Sequence, residues 1–183
     1  MMGGTHALIG VSSLWLLAFV PSVLTTDTLA PLAACAALGA LLPDLDAQSS
    51  TIKYLSIARI QPFAPVAYVL SRDLGHRGAT HSLLGLFVFA LLMLPLVWIW
   101  PWPYWVALSL GYASHLAADA CTKSGIPFLH PNRKRYHLLP RDWRFTTGSL
   151  AEDALVPIIA LAILFLLFSQ LRQLQTTPFS IQP

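Results

Sequence analysis

Charge is scarce in this 183-residue chain, with 10% of residues Asp, Glu, Lys or Arg against about 25% in an ordinary soluble domain. That deficit, beside a hydrophobic share of 56%, excludes a typical water-soluble surface. Cysteine is nearly absent too. Cys35 falls in the middle of one apolar segment and Cys121 near the end of another, so neither a disulfide nor a Cys-type zinc site is indicated. There is no Gly-rich nucleotide loop and no nucleophile elbow. Lys and Arg are missing from two short turns, at about 25–27 and 101–103.

What the chain does have is apolar length. Five strongly apolar segments run at about 7–24, 28–42, 83–100, 104–121 and 151–169, close to the ~20 residues a spanning helix needs. These predict one all-α domain over residues 1–183: an integral membrane helical bundle of about five transmembrane helices, four being the alternative. The second segment, between Asp27 and Pro43, is the shortest and would need local thinning or burial in the bundle. The first lacks the positive n-region of a secretory signal and is read as a retained helix.

Of the Lys and Arg residues, Lys53, Arg59, Arg72 and Arg77 lie between segments two and three. Lys123, Arg133, Lys134, Arg135, Arg141 and Arg144 lie between four and five, and Arg172 follows the last. By the positive-inside rule both long loops are cytoplasmic. The far turn, Trp98-Ile99-Trp100-Pro101-Trp102-Pro103-Tyr104-Trp105, reads as an interfacial aromatic belt. Apolar positions within 49–72 predict short interfacial helices, and 123–150 reads as irregular.

The rare polar residues are the most informative. In an up-and-down bundle His6 opens the first segment, Asp44 and Asp46 close the second, and His81 opens the third. His115 and Asp119 end the fourth, and Glu152 and Asp153 open the fifth. All then meet at one membrane face, as a metal site requires. Thr5-His6-Ala7-Leu8-Ile9-Gly10 and Thr80-His81-Ser82-Leu83-Leu84-Gly85 form a small repeat. Each opens a hairpin that returns to an acid.

His115 and Asp119, four apart on a helix, project from one face; the plainer alternative is a hydrogen-bonded pair that holds helices together. Pro43-Asp44-Leu45-Asp46 reads as extended after the proline, with both carboxylates facing one centre, or else as two solvated caps. His76-Arg77-Gly78-Ala79-Thr80-His81-Ser82 offers a ligand in His81 and a phosphate grip in Arg77, although Thr80 or His81 could simply cap a helix. Ser149-Leu150-Ala151-Glu152 is a capping-box pattern, so Glu152 has a bland role beside a metal or base role. His130 and His137 lie in the last loop, where a lone His is most often a surface residue; His130 is the better ligand candidate. Arg133-Lys134-Arg135 suits anionic lipid headgroups, and nucleic acid is not an expected partner.

Together, Thr5-His6, Leu42-Pro43-Asp44-Leu45-Asp46, His76-Arg77-Gly78-x-Thr80-His81-Ser82, Ser114-His115-x-x-x-Asp119 and Gly148-Ser149-x-x-Glu152 resemble the YdjM-type family of bacterial membrane-bound, predicted metal-dependent hydrolases, some described as LexA-regulated. The resemblance implies a multi-pass protein of the bacterial inner membrane with its metal site on the cytoplasmic side. More distantly, the order of ligands is similar to the zinc-dependent phospholipase C and single-strand nuclease superfamily. That likeness implies Asp44, His81, His115 and Asp119 as the main metal ligands, with His130 and Glu152 at a neighbouring metal and His6 at the N-terminal position. Gly148 stands where the superfamily has a His, and the initial Trp is missing, which reduces the expectation to one or two ions.

Two readings follow. In the first, the chain is a phosphoesterase acting on a membrane-associated phosphoester, with zinc preferred and manganese or iron as alternatives. Asp44 or Glu152 would take a proton from the attacking water, and Arg77, Arg141 or Lys123 would hold phosphate charge. In the second, it is a non-enzymatic membrane protein, either a metal carrier or a structural bundle. A carrier would need ligands near mid-membrane with access to both faces, whereas these cluster at one end.

Overall fold

The computed structural model describes residues 1–46, 78–132 and 134–176, and the structural statements below concern these. Five α-helices make up the fold: α1 (Gly3–Ser13), α2 (Thr26–Leu41), α3 (Leu83–Met93), α4 (Trp102–Ala120) and α5 (Leu150–Thr176). No strand occurs among the described residues. Two isolated bridges, Thr122 with Phe145 and Ile126 with Tyr136, fasten the long loop after α4 against itself.

Local chemistry sets the helix ends. Thr25 and Thr28 form a reciprocal capping box at the start of α2, with side-chain to backbone distances of 2.9 and 3.2 Å, satisfying two of the donors a helix start leaves open. Ser82 caps α3 by accepting from Gly85 N at 3.1 Å. Ser149 accepts from Glu152 N at 3.4 Å at the start of α5. α1 tightens into a 3-10 segment at Leu14–Phe19, and α3 does so at Leu94–Trp98, where Pro95 contributes no N–H to the ladder.

α4 is the central helix, packed on α1, α2 and α3. Its contact with α2 is made by small residues. A Cβ at Gly39 would overlap the Leu108 carbonyl, and one at Gly111 would overlap the Ala36 carbonyl. The two backbones therefore approach as small-residue membrane interfaces do. Leu14, Leu32, Ala36 and Ala107 fill the core on one side of this contact, and Tyr112, Leu116, Ala120 and Ile126 fill it towards the loop.

The outside is apolar. Phe87, Leu91 and Leu92 on α3, Ile158, Leu161, Leu164, Phe165 and Phe168 on α5, and Trp98, Ile99 and Trp100 before α4 with Trp102 at its start are all exposed. This is the inverse of a soluble surface, and contiguous apolar area of this kind marks contact with membrane or partner.

Each of the five apolar segments carries a described helix, but the expected five membrane spans are not matched by the helix lengths among the described residues. Two helices are long and apolar enough to cross a membrane by length and composition: Thr26–Leu45 and Leu150–Gln173. The segment expected to be shortest is thus one of the longest, because α2 does not stop at Pro43. It continues as a 3-10 segment, Leu42–Asp46. That corrects the extended reading of Pro43-Asp44-Leu45-Asp46. Proline's fixed φ suits a helical first turn as well as an extended chain, and at three residues per turn positions two apart no longer share a face. The interfacial helices expected in 49–72 lie outside the described residues.

Candidate metal centre

His115 builds the centre. The close α2–α4 contact brings the Ala40 carbonyl to 2.7 Å from His115 Nδ1. A carbonyl only accepts, so Nδ1 carries the proton and Nε2 presents a lone pair. His81 is oriented in parallel fashion: Thr80 Oγ1 contacts its Nδ1 at 3.1 Å, while Tyr112 Oη donates to the Thr80 carbonyl at 2.6 Å and fixes that turn on α4. A histidine whose second nitrogen is held by a carbonyl or hydroxyl is the arrangement metal ligands ordinarily show.

The two Nε2 edges converge. His81 Nε2 and His115 Nε2 are 3.2 Å apart, and Asp44 Oδ1 lies 3.4 Å from the first and 3.7 Å from the second. Donors about 2.0–2.1 Å from a tetrahedral ion stand about 3.3–3.4 Å from one another, so these three atoms have the spacing of one face of such a site. Asp119 Oδ2 approaches His81 Nε2 at 3.8 Å, outside the Asp44 group. A single proton on His81 Nε2 serves one neighbour, whereas a divalent ion would serve Asp44, His81 and His115 together.

His6 stands behind His115, its ring stacked at a centroid distance of 3.7 Å. Its Nε2 is 3.3 Å from Asp119 Oδ1, which also accepts from the Met1 amino group at 2.7 Å. His6 Nδ1 is buried with no hydrogen-bond partner among the described residues, the kind of orphan that points to an unfilled demand. Two groups of donors could hold an ion: Asp44, His81 and His115, and His6, His115 and Asp119. Both draw on His115, whose Nδ1 is committed to Ala40. One Nε2 is therefore shared between them.

Of the sequence candidates, His6, Asp44, His81, His115 and Asp119 come together. Glu152 lies beside the centre rather than in either group. It is buried, and its two oxygens accept from the Met2 and Gly148 backbone amides. The reciprocal half of the capping box is thereby redirected from Ser149 to Gly148, and the carboxylate ties the start of the chain to the start of α5. His130 belongs to neither group. Arg77 and His76 are outside the described residues, as is the side chain of Asp46. Lys123 and Arg141 line one polar cleft together with Asp142 and Arg144. The sequence reading missed the Ala40 carbonyl, Thr80 Oγ1 and Tyr112. Tyr112 alone had a signal, lying three residues before His115 and seven before Asp119 on the same helix face.

A helical protein with an outward apolar surface and a buried cluster of imidazoles and carboxylates at the ends of four helices is a membrane protein with a candidate metal centre. Its relatives agree on the membrane. The chain belongs to the family described as YdjM inner membrane protein, which matches residues 1–176. It is 37% identical over 108 residues to the inner membrane protein YdjM of Escherichia coli (strain K12) and equally to that of Shigella flexneri, covering 56% of this chain and 50% of each relative. The chain thus spans about half the length of these two relatives. It is also 32% identical over 162 residues to the uncharacterized protein YvsG of Bacillus subtilis (strain 168), covering 88% of this chain and 91% of that one. No solved structure matches it.

Proposed function

We propose that this chain is a multi-pass, membrane-embedded metal-dependent hydrolase whose centre lies at the cytoplasmic headgroup level and acts on a membrane-associated phosphoester. The observation that carries the reading is the convergence of His81 Nε2, His115 Nε2 and Asp44 Oδ1 at 3.2–3.7 Å, with both imidazoles fixed at Nδ1 from behind. Mixed imidazole and carboxylate donors suit zinc, with manganese or iron as the competing ions. When bound, a divalent ion supplies Lewis acidity towards a phosphoryl oxygen and acidifies water.

The residues divide the remaining work. His81, His115 and Asp119 are sealed from solvent, whereas the Asp44 side chain is 21% exposed, so substrate and water enter from Asp44. Its carboxylate is the group positioned to accept a proton from the attacking water. Lys123 and Arg141, in their polar cleft with Arg144, offer the positive charge that holds a phosphate. The cytoplasmic placement rests on the cations of the loops flanking the centre.

The test is elemental analysis of detergent-purified protein followed by assay against phospholipids, lipid-linked phosphates and nucleic acids. Retained metal with phosphoester hydrolysis, lost on chelation and restored by metal, is the expected result. Cys35→Ala with Cys121→Ala should leave turnover intact, since no thiol is the nucleophile. Retained metal in a chain inert across the panel would favour a carrier, and absence of metal would favour a purely structural bundle.

A further inference from the structure

Between α3 and α4 two apolar cavities of about 390 and 570 Å³ adjoin, sharing Leu83, Leu86 and Ala113 as walls. The lower reaches Trp105, and the upper ends at Phe128, Tyr136 and His137. Ala113, Ala117 and Ala120 hollow out the α4 side. Trp105 Nε1 donates to the Ala90 carbonyl at 2.8 Å and closes the far end. From Trp105 to Ala120 the groove follows fifteen helical steps, about 22 Å at 1.5 Å each, somewhat more than the ~15 Å hydrocarbon depth of one leaflet.

The upper end is not apolar beyond His137. His137 Nε2 lies 3.3 Å from the Lys123 carbonyl, and Lys123 lines a second, polar cavity of about 600 Å³ with Arg141, Arg144 and Asp142. Three cations stand there against one carboxylate. Arg144 Nε donates to the Leu139 carbonyl at 3.0 Å, which orients its guanidinium. An apolar groove longer than the hydrocarbon depth of one leaflet thus adjoins a cationic cleft across one residue contact.

We infer that the α3–α4 groove holds an acyl chain of an anionic phospholipid whose phosphate sits among Lys123, Arg141 and Arg144. A neutral diacylglycerol satisfies only the groove, and a free phosphate only the cleft. The inference rests on the proposed function in giving the cleft of Lys123, Arg141 and Arg144 to a phosphate, and it is read as lipid retention with the metal removed, so that its failure and a failure of hydrolysis are distinguishable.

The test uses the full chain, purified in mild detergent with a chelator and exposed to phosphatidylglycerol, phosphatidylcholine, diacylglycerol or inorganic phosphate, with bound lipid counted by native mass spectrometry. Phosphatidylglycerol should be retained about tenfold better than phosphatidylcholine, as expected for charge-assisted contacts. Lys123→Ala with Arg141→Ala should erase that preference while sparing phosphatidylcholine. Ala113→Phe, which fills the junction of the two cavities, should reduce both lipids, and Ala113→Leu serves should the larger side chain impair folding. Folded Ala113 variants that bind lipid as the parent does would overturn the groove. An unchanged preference in the double variant would overturn the cleft, and inorganic phosphate displacing lipid fully would overturn the joint site.

Discussion

His6 of the first hairpin meets Asp119 of the second at 3.3 Å. The complementary contact runs the other way, with His81 of the second hairpin 3.4 Å from Asp44 of the first. The two Thr-His repeats thus exchange partners: each imidazole meets a carboxylate of the opposite hairpin. Neither hairpin can assemble the centre alone, so ligand geometry and helix docking are formed together.

That interdependence predicts what ligand loss does. His115→Ala removes the nitrogen common to both donor groups and should abolish bound metal, whereas His6→Ala, which leaves Asp44, His81 and His115 in place, should keep it with weakened affinity. Metal content by elemental analysis of both variants decides this. Equal retention in both would assign the cluster to helix packing.

Gly111→Ala should act at a distance. The added Cβ overlaps the Ala36 carbonyl, and overpacking of this kind costs about 1–3 kcal/mol. It also pushes α2 and its Ala40 carbonyl away from His115 Nδ1, and loss of such a supporting bond weakens metal affinity about 10–100-fold. Thermal unfolding and metal titration of the variant should therefore change together. A destabilised protein with parental metal affinity would refute the supporting role of Ala40.

Glu152→Gln separates anchoring from ligation. The carboxylate accepts two backbone amides, and hydrogen bonds to charged groups contribute about 1.5–3 kcal/mol each at most, so the amide should lower the unfolding temperature while metal stoichiometry stays at the parental value. Loss of metal without loss of stability would return Glu152 to the ligand set.

Orientation can be read from single cysteines on a Cys35→Ser, Cys121→Ser background. A cysteine at Lys134 should be shielded from a membrane-impermeant maleimide in intact cells, and one at Ile99, exposed in the aromatic turn, should react. The opposite pattern would invert the assigned topology.

The polar cluster was legible in the sequence because helix periodicity and hairpin topology act over whole segments. Four-residue spacing placed His115 and Asp119 on one face, and up-and-down crossing placed His6, Asp44 and His81 at the same depth. Backbone partners were not legible. The Ala40 carbonyl has no side-chain signature, and its approach depends on Gly39 and Gly111, which in a sequence of apolar segments look like ordinary small residues. Pro43 misled for a local reason, since its φ is compatible with two conformations and α2 supplied the context that chose the 3-10 turn. Glu152 was ambiguous because a capping pattern specifies which backbone amide bonds the serine, not where the glutamate turns.

α5 is held at its two ends and nowhere buried between. Glu152 fastens its first turn to Met2 and Gly148, and Gln170 donates to the Leu24 carbonyl at 3.1 Å near the other end, while no residue of its apolar window is fully buried. A strut of this kind is free to drift in sequence. Exchanges among Leu, Ile, Val and Phe at the exposed positions Ile158, Leu161, Leu164, Phe165 and Phe168 meet the solvent of the bilayer rather than a fitted neighbour, so relatives should differ most there while keeping an acid at its start and an amide donor near its end.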